Sequence, residues 1–97
     1  MKAQNLTPLY IATNRNEYSA EAQQAARVGL ESLQAQLFIH KHRCHLKNAN
    51  LEGKRAFGYL TVENALAGNL LVENTDGGTA RLYATVDDLV NDGWVVD

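Results

Sequence analysis

The chemically richest run in this chain is His40-Lys41-His42-Arg43-Cys44-His45, which holds all three histidines and the only cysteine of the 97 residues. Imidazole nitrogen and thiolate sulfur are the donors that zinc and the softer transition metals take. If the run is a strand, its period of two places His40, His42 and Cys44 on one face, with Cα atoms about 6.5 to 7 Å apart at each step of two. A metal draws its donors to within about 2.0 to 2.3 Å of one point. Such neighbours therefore supply two ligands, and a third comes from elsewhere. If the run is helical, His40 and Cys44 stand at i and i+4 and can share an ion. Lys41 and Arg43 oppose a cation in either case, and no CxxC, HExxH or second cysteine accompanies the cluster. This gives one reading, a small-ligand or metal-dependent enzyme using His40, His42 and Cys44. The competing reading is a half-buried strand with Cys44 in the core, the usual place of a free cysteine, and it calls for no cofactor.

Other catalytic chemistry has thinner support. A positive neighbourhood lowers a thiol pKa, which would make Cys44 a nucleophile. The two serines, Ser19 and Ser32, fall on a helix or its entry. Glu63, Glu73, Asp87 and Asp88 fall where capping or solvation accounts for them. Asp76-Gly77-Gly78 reads as a hairpin turn and not as a strand-to-helix phosphate cradle.

Charge is segregated along the chain. Lys41, Arg43, Lys47, Lys54 and Arg55 against Glu52 give residues 37 to 55 a charge of +4, while residues 56 to 97 carry −6 and the whole chain −2. These five basic residues are the candidate interaction surface, and the acidic C-terminal part is their expected electrostatic counterpart. The pattern favours a non-enzymatic protein-interaction or adaptor domain, with a homodimer among its forms. With Phe57 and Tyr59 the same stripe suits single-stranded nucleic acid. The acidic half and a pI near 5.9 weigh against that, so a protein partner or self-association ranks ahead of nucleic acid.

The elements that must position these groups follow from periodicity. Leu9 to Thr13 is β-prone and reads as a first, buried strand. From about Ser19, Ala22, Ala26, Leu30, Leu33 and Leu37 recur at helical spacing, with Asn16 or Ser19 as the cap. Phe38, His40, His42, Cys44 and Leu46 then alternate as a second strand ending near Asn48, although Leu33, Leu37, Lys41 and Cys44 keep helical spacing and leave a longer helix open. Asn48 to Gly53 reads as a turn, Ala56 to Val62 as a strand, Ala65 to Gly68 as a return, and Asn69 to Glu73 as the next strand. Asp76-Gly77 predicts a tight hairpin into Ala80 to Ala84. Thr85 caps a short helix that Gly93 stops, and Trp94 opens a last extended run.

That order predicts an α+β fold: a mainly antiparallel sheet of about five to six strands, with one long amphipathic helix and one short C-terminal helix packed on it. The length suits a single globular domain over residues 1–97. A lone cysteine, no apolar leader and no apolar run of membrane-spanning length make a cytoplasmic protein the expectation, with no membrane partner. Asn5-Leu6-Thr7 matches a glycosylation sequon, which without a secretion signal is read as chance.

Overall fold

The computed structural model describes residues 8–11 and 13–97; the Asn5-Leu6-Thr7 sequon and Ala12 lie outside the described residues. Its elements are helix α1 (Ala20–Glu31), strands β1 (Arg43–Leu51) and β2 (Lys54–Thr61), helix α2 (Val62–Leu66), strands β3 (Leu70–Asn74) and β4 (Arg81–Tyr83), helix α3 (Val86–Asn91) and strand β5 (Trp94–Val96). The five strands form one sheet in the order β4-β3-β2-β1-β5, and every neighbouring pair is antiparallel. This is the α+β class expected from the sequence.

The central hairpin sets the register. Leu51 pairs with Lys54 across a two-residue turn in which Glu52 and Gly53 have φ of 52° and 86°. Positive φ at both central residues matches the turn's twist to that of the strands. The tight hairpin is therefore here, in the Asn48 to Gly53 stretch read as a turn, of which the first four residues continue β1. Asp76-Gly77, expected to make it, lies in a longer loop, where Gly77 N donates to the Asn74 carbonyl at 3.0 Å.

Alternation then sorts the side chains. Cys44, Leu46 and Asn48 of β1 and Ala56, Gly58 and Leu60 of β2 are buried, together with Val72, Tyr83 and Trp94 of the flanking strands. Gly58 is required by this packing: a Cβ there would lie 2.6 Å from the Glu73 carbonyl oxygen and 3.1 Å from the Trp94 ring. The missing side chain lets the indole pass directly over the β2 backbone.

Helix α1 starts where Ser19 Oγ accepts a hydrogen bond from Ala22 N at 3.1 Å. It buries Ala26, Gly29 and Leu30 and packs against α3 and β5. The apolar stripe had extended the expected helix to Leu37, but the helix ends at Glu31. Leu33 turns the chain with φ of 50°, and two short 3-10 turns, Ala35–Phe38 and His40–His42, bring Phe38 into the core. Helix α2 replaces the simple return expected after β2; Thr61 Oγ1 caps it by accepting from Asn64 N at 3.1 Å.

A polar chain is buried beneath α3. Trp94 Nε1 donates to Tyr83 Oη at 3.0 Å, Tyr83 Oη donates to Asp92 Oδ2 at 2.5 Å, and Arg15 pairs with Asp92 Oδ1. Asn48 Nδ2 donates to the Asp92 carbonyl at 3.0 Å. Burial, followed by the Asp92 hydrogen bond, pushes the Tyr83 hydroxyl well above its ordinary pKa and keeps it a donor. The chain ties β4, β1 and β5 to the segment before α1.

That segment also touches both sheet edges. Among the described residues the expected first strand is one parallel bridge, Leu9 to Tyr83, and Tyr10 is 87% exposed rather than buried. At the opposite edge Asn16 Nδ2 donates to the carbonyls of Trp94 at 3.0 Å and Val90 at 2.8 Å. One outward carbonyl at each edge, that of Leu82 and that of Trp94, is thus occupied.

Candidate binding face

The two antiparallel strands at the centre of the sheet expose what they do not bury. Arg43, His45 and Lys47 of β1 stand opposite Thr61, Tyr59 and Phe57 of β2, pair by pair. None of these six is buried, and Phe57 is 41% exposed. Arg55 continues the β2 row as an exposed residue. Val95, which pairs with Lys47, is the buried exception at the margin of this face.

The side chains of this face contact one another. The Arg43 guanidinium lies 4.1 Å from the centre of the Tyr59 ring, and Lys47 Nζ lies 5.3 Å from that of Tyr18. His45 stands 6.5 Å from Tyr59 and 5.3 Å from His40, ring centre to ring centre. A cation held over an aromatic face keeps its charge while shielding the ring. The result is an open sheet face of interleaved rings and cations. Partial burial raises the Tyr18 pKa; Arg55 opposes that rise, and Asp97 and Glu17 reinforce it.

The five predicted basic residues divide over this geometry. Arg43, Lys47 and Arg55 share the open face. Lys41 sits in a 3-10 turn with φ of 56° and, with His42, Arg43 and Glu63, lines a cleft of about 480 Å³ at the start of β1. Lys54 lies at the far end of the hairpin in a second cleft of about 410 Å³ with Glu52, Asp76 and Arg81. None of the five forms an ion pair with another described residue.

Within the chain, Arg27 reaches Asp87 at 2.8 Å and Arg15 reaches Asp92, while Glu52 of the basic segment holds Arg81 of the acidic part at 2.8 Å. Asp87 and Asp92 thus take cations from outside the 41 to 55 segment. Cations from before and within α1 serve α3 and its C-terminus, because α1 packs beside α3.

The His40, His42 and Cys44 cluster is also separated. His40 and His42 are exposed in a 3-10 turn before β1, where His42 has φ of 57°, while Cys44 points into the core. The strand begins only at Arg43, so the alternation that would have aligned the three side chains never starts. Among the described residues no three His, Cys, Asp or Glu side chains converge as a metal site requires. Burial pushes the Cys44 thiol up to about 11, the reverse of an activated thiolate. No described helix is long and apolar enough to cross a membrane.

Sequence reasoning misses one part of this site and one of the buried core. His45 was counted with the cluster but not placed opposite Tyr59, and its Nε2 is buried without a hydrogen-bond partner among the described residues. Asp92 was read only as part of the α3 stop. The signal available was the alternation of Arg43, His45 and Lys47 against Cys44, Leu46 and Asn48. Comparison of the chain with family models, curated proteins and solved structures finds no match.

Proposed function

We propose that this chain is a non-enzymatic binding module whose working surface is the open face of β1 and β2, and whose partner carries negative charge beside apolar or planar groups. The observation that carries this reading is the arrangement of three cations without ion-pair partners among the described residues, Arg43, Lys47 and Arg55, around half-exposed rings on one sheet face. Desolvating such a face needs a partner that returns both charge and apolar contact. The enzymatic alternative has no support from the separated histidines or from a buried thiol with a raised pKa.

Of the expected partners, an acidic protein segment and a single-stranded nucleic acid both meet this description. Self-association through a sheet edge has to displace Leu9 from the Leu82 carbonyl or Asn16 from the Trp94 carbonyl. The test replaces Arg43, Lys47 and Arg55 together by glutamine and measures binding to a twelve-residue polyglutamate and to a twelve-nucleotide oligothymidylate at 50 mM salt. The triple variant is expected to lose at least tenfold for whichever polyanion the native chain binds. Unchanged affinity in the folded variant, or no binding of either probe by the native chain, rejects the reading.

A further inference from the structure

We infer that the occupant of the open face is single-stranded nucleic acid, with bases stacked on Phe57, His45 and the Arg43–Tyr59 pair and phosphates held by Lys47 and Arg55. The inference rests on the binding-module reading and names its partner. Three observations bear on this occupant.

The first is the position of the acidic residues. The −6 charge of the C-terminal part would repel phosphate if it lay on the binding face. Instead Asp92 is buried against Tyr83 and Arg15, and Asp87 is held by Arg27. Glu73, paired with Tyr59 across β2 and β3, Asp97, whose backbone N–H donates to the His45 carbonyl at 2.9 Å, and Glu17, whose charge acts on Tyr18, are the carboxylates beside the rings. Arg43, Lys47 and Arg55 therefore meet these carboxylates and not the full acidic charge of the C-terminal part.

The second is ring geometry. His45 and Tyr59 are directly opposite across the two strands with centres 6.5 Å apart, and Phe57 is the next outward residue along β2. From Arg55 to Thr61 the outward row runs about 20 Å at about 3.3 Å per residue. An antiparallel sheet face of this kind offers stacking places for about two or three unpaired bases, and a guanidinium plane serves as one of them. Bases in a duplex already stack on each other and cannot use these rings.

The third is the partial occupancy of the edges. An extended acidic peptide gains most by adding a strand to an exposed sheet edge, where main-chain hydrogen bonds carry the affinity. Leu9 already takes the Leu82 carbonyl at one edge and Asn16 the Trp94 carbonyl at the other, so a peptide adding there as a strand must displace them. A ligand that lies flat across the face keeps only ring and phosphate contacts, which is what a nucleotide strand supplies.

Fluorescence anisotropy of a labelled twelve-nucleotide oligothymidylate with the full chain tests this. Binding at 50 mM salt is expected, and two phosphate contacts give a log–log salt slope of about −1.4, or about a 7-fold loss on going to 200 mM. Phe57→Ala, at a position already 41% exposed, keeps the fold by circular dichroism and loses about 5- to 150-fold in affinity. A duplex of the same length competes poorly. The inference is overturned if Phe57→Ala binds as the native chain does, or if duplex competes equally. It also fails if polyglutamate of equal charge binds the same face more tightly, an outcome that keeps the binding-module reading and reassigns the partner to acidic protein. Absence of binding by both probes overturns the two readings together.

Discussion

Replacing Tyr83 by phenylalanine removes one hydroxyl and strands two buried groups. The Tyr83 oxygen accepts from Trp94 Nε1 at 3.0 Å and donates to Asp92 Oδ2 at 2.5 Å, and all three side chains are buried. A hydrogen bond to a charged group contributes about 1.5 to 3 kcal/mol, and an unsatisfied buried donor costs about 1 to 3 kcal/mol. Arg15 still neutralises Asp92, so the carboxylate does not become a bare buried charge. The expected loss is then about 3 to 5 kcal/mol, a large share of the roughly 5 to 15 kcal/mol typical of a domain. Trp94 is the only tryptophan and reports the change directly. Urea unfolding followed by its fluorescence should show a lower midpoint with an unchanged slope, and the melting temperature should fall by at least about 12 °C. A loss below about 1 kcal/mol refutes the reasoning, because it means the network is solvated or replaced by water.

Two further perturbations test the same core. Gly93→Ala puts a Cβ at a residue with φ of 115°, 2.6 Å from Asn48 Oδ1, where it displaces the amide that donates to the Asp92 carbonyl. A loss of at least about 2 kcal/mol in urea unfolding is expected, and a near-neutral result would show that Asn48 yields without cost. Cys44 makes the chain sensitive to alkali. Its thiol pKa rises from 9.0 to about 11 on folding, so the contribution is fully present below pH 9 and is lost as pH climbs toward 11. At about 1.36 kcal/mol per pKa unit this amounts to about 3 kcal/mol, and Cys44→Ala should flatten that part of the pH profile. An identical slope between pH 9 and 11 in the variant excludes the thiol as its source.

The parts of the fold that the sequence made legible are those with local chemistry of their own. Ser19 and Thr85 carry hydroxyls that cap α1 and α3, and Gly93 stops α3 with a φ that glycine accepts readily. The region between α1 and β1 was illegible for a physical reason. Leu33, Leu37, Lys41 and Cys44 satisfy helical spacing while Phe38 to Leu46 satisfy alternation, and the chain follows neither until Arg43. Its breaks are positive φ angles at Leu33, Lys41 and His42, residue types that give no such signal. Tertiary packing of Phe38 in the core accompanies those angles. The cluster of histidines and Cys44 was misplaced for the same reason, whereas the outward row of Arg43 and Lys47 followed from alternation alone. Asp92 looked like a surface stop residue because its partners, Tyr83, Arg15 and Asn48, are 9, 77 and 44 positions away.

The open face of β1 and β2 is the centre of this account, and amide chemical-shift mapping with the oligothymidylate probes it most directly. The predicted result is shifts confined to Arg43, His45 and Lys47 on β1 and to Arg55, Phe57 and Tyr59 on β2, with α1 and α3 unmoved. Shifts that instead cluster on α1 and α3, with those six amides silent, would contradict it.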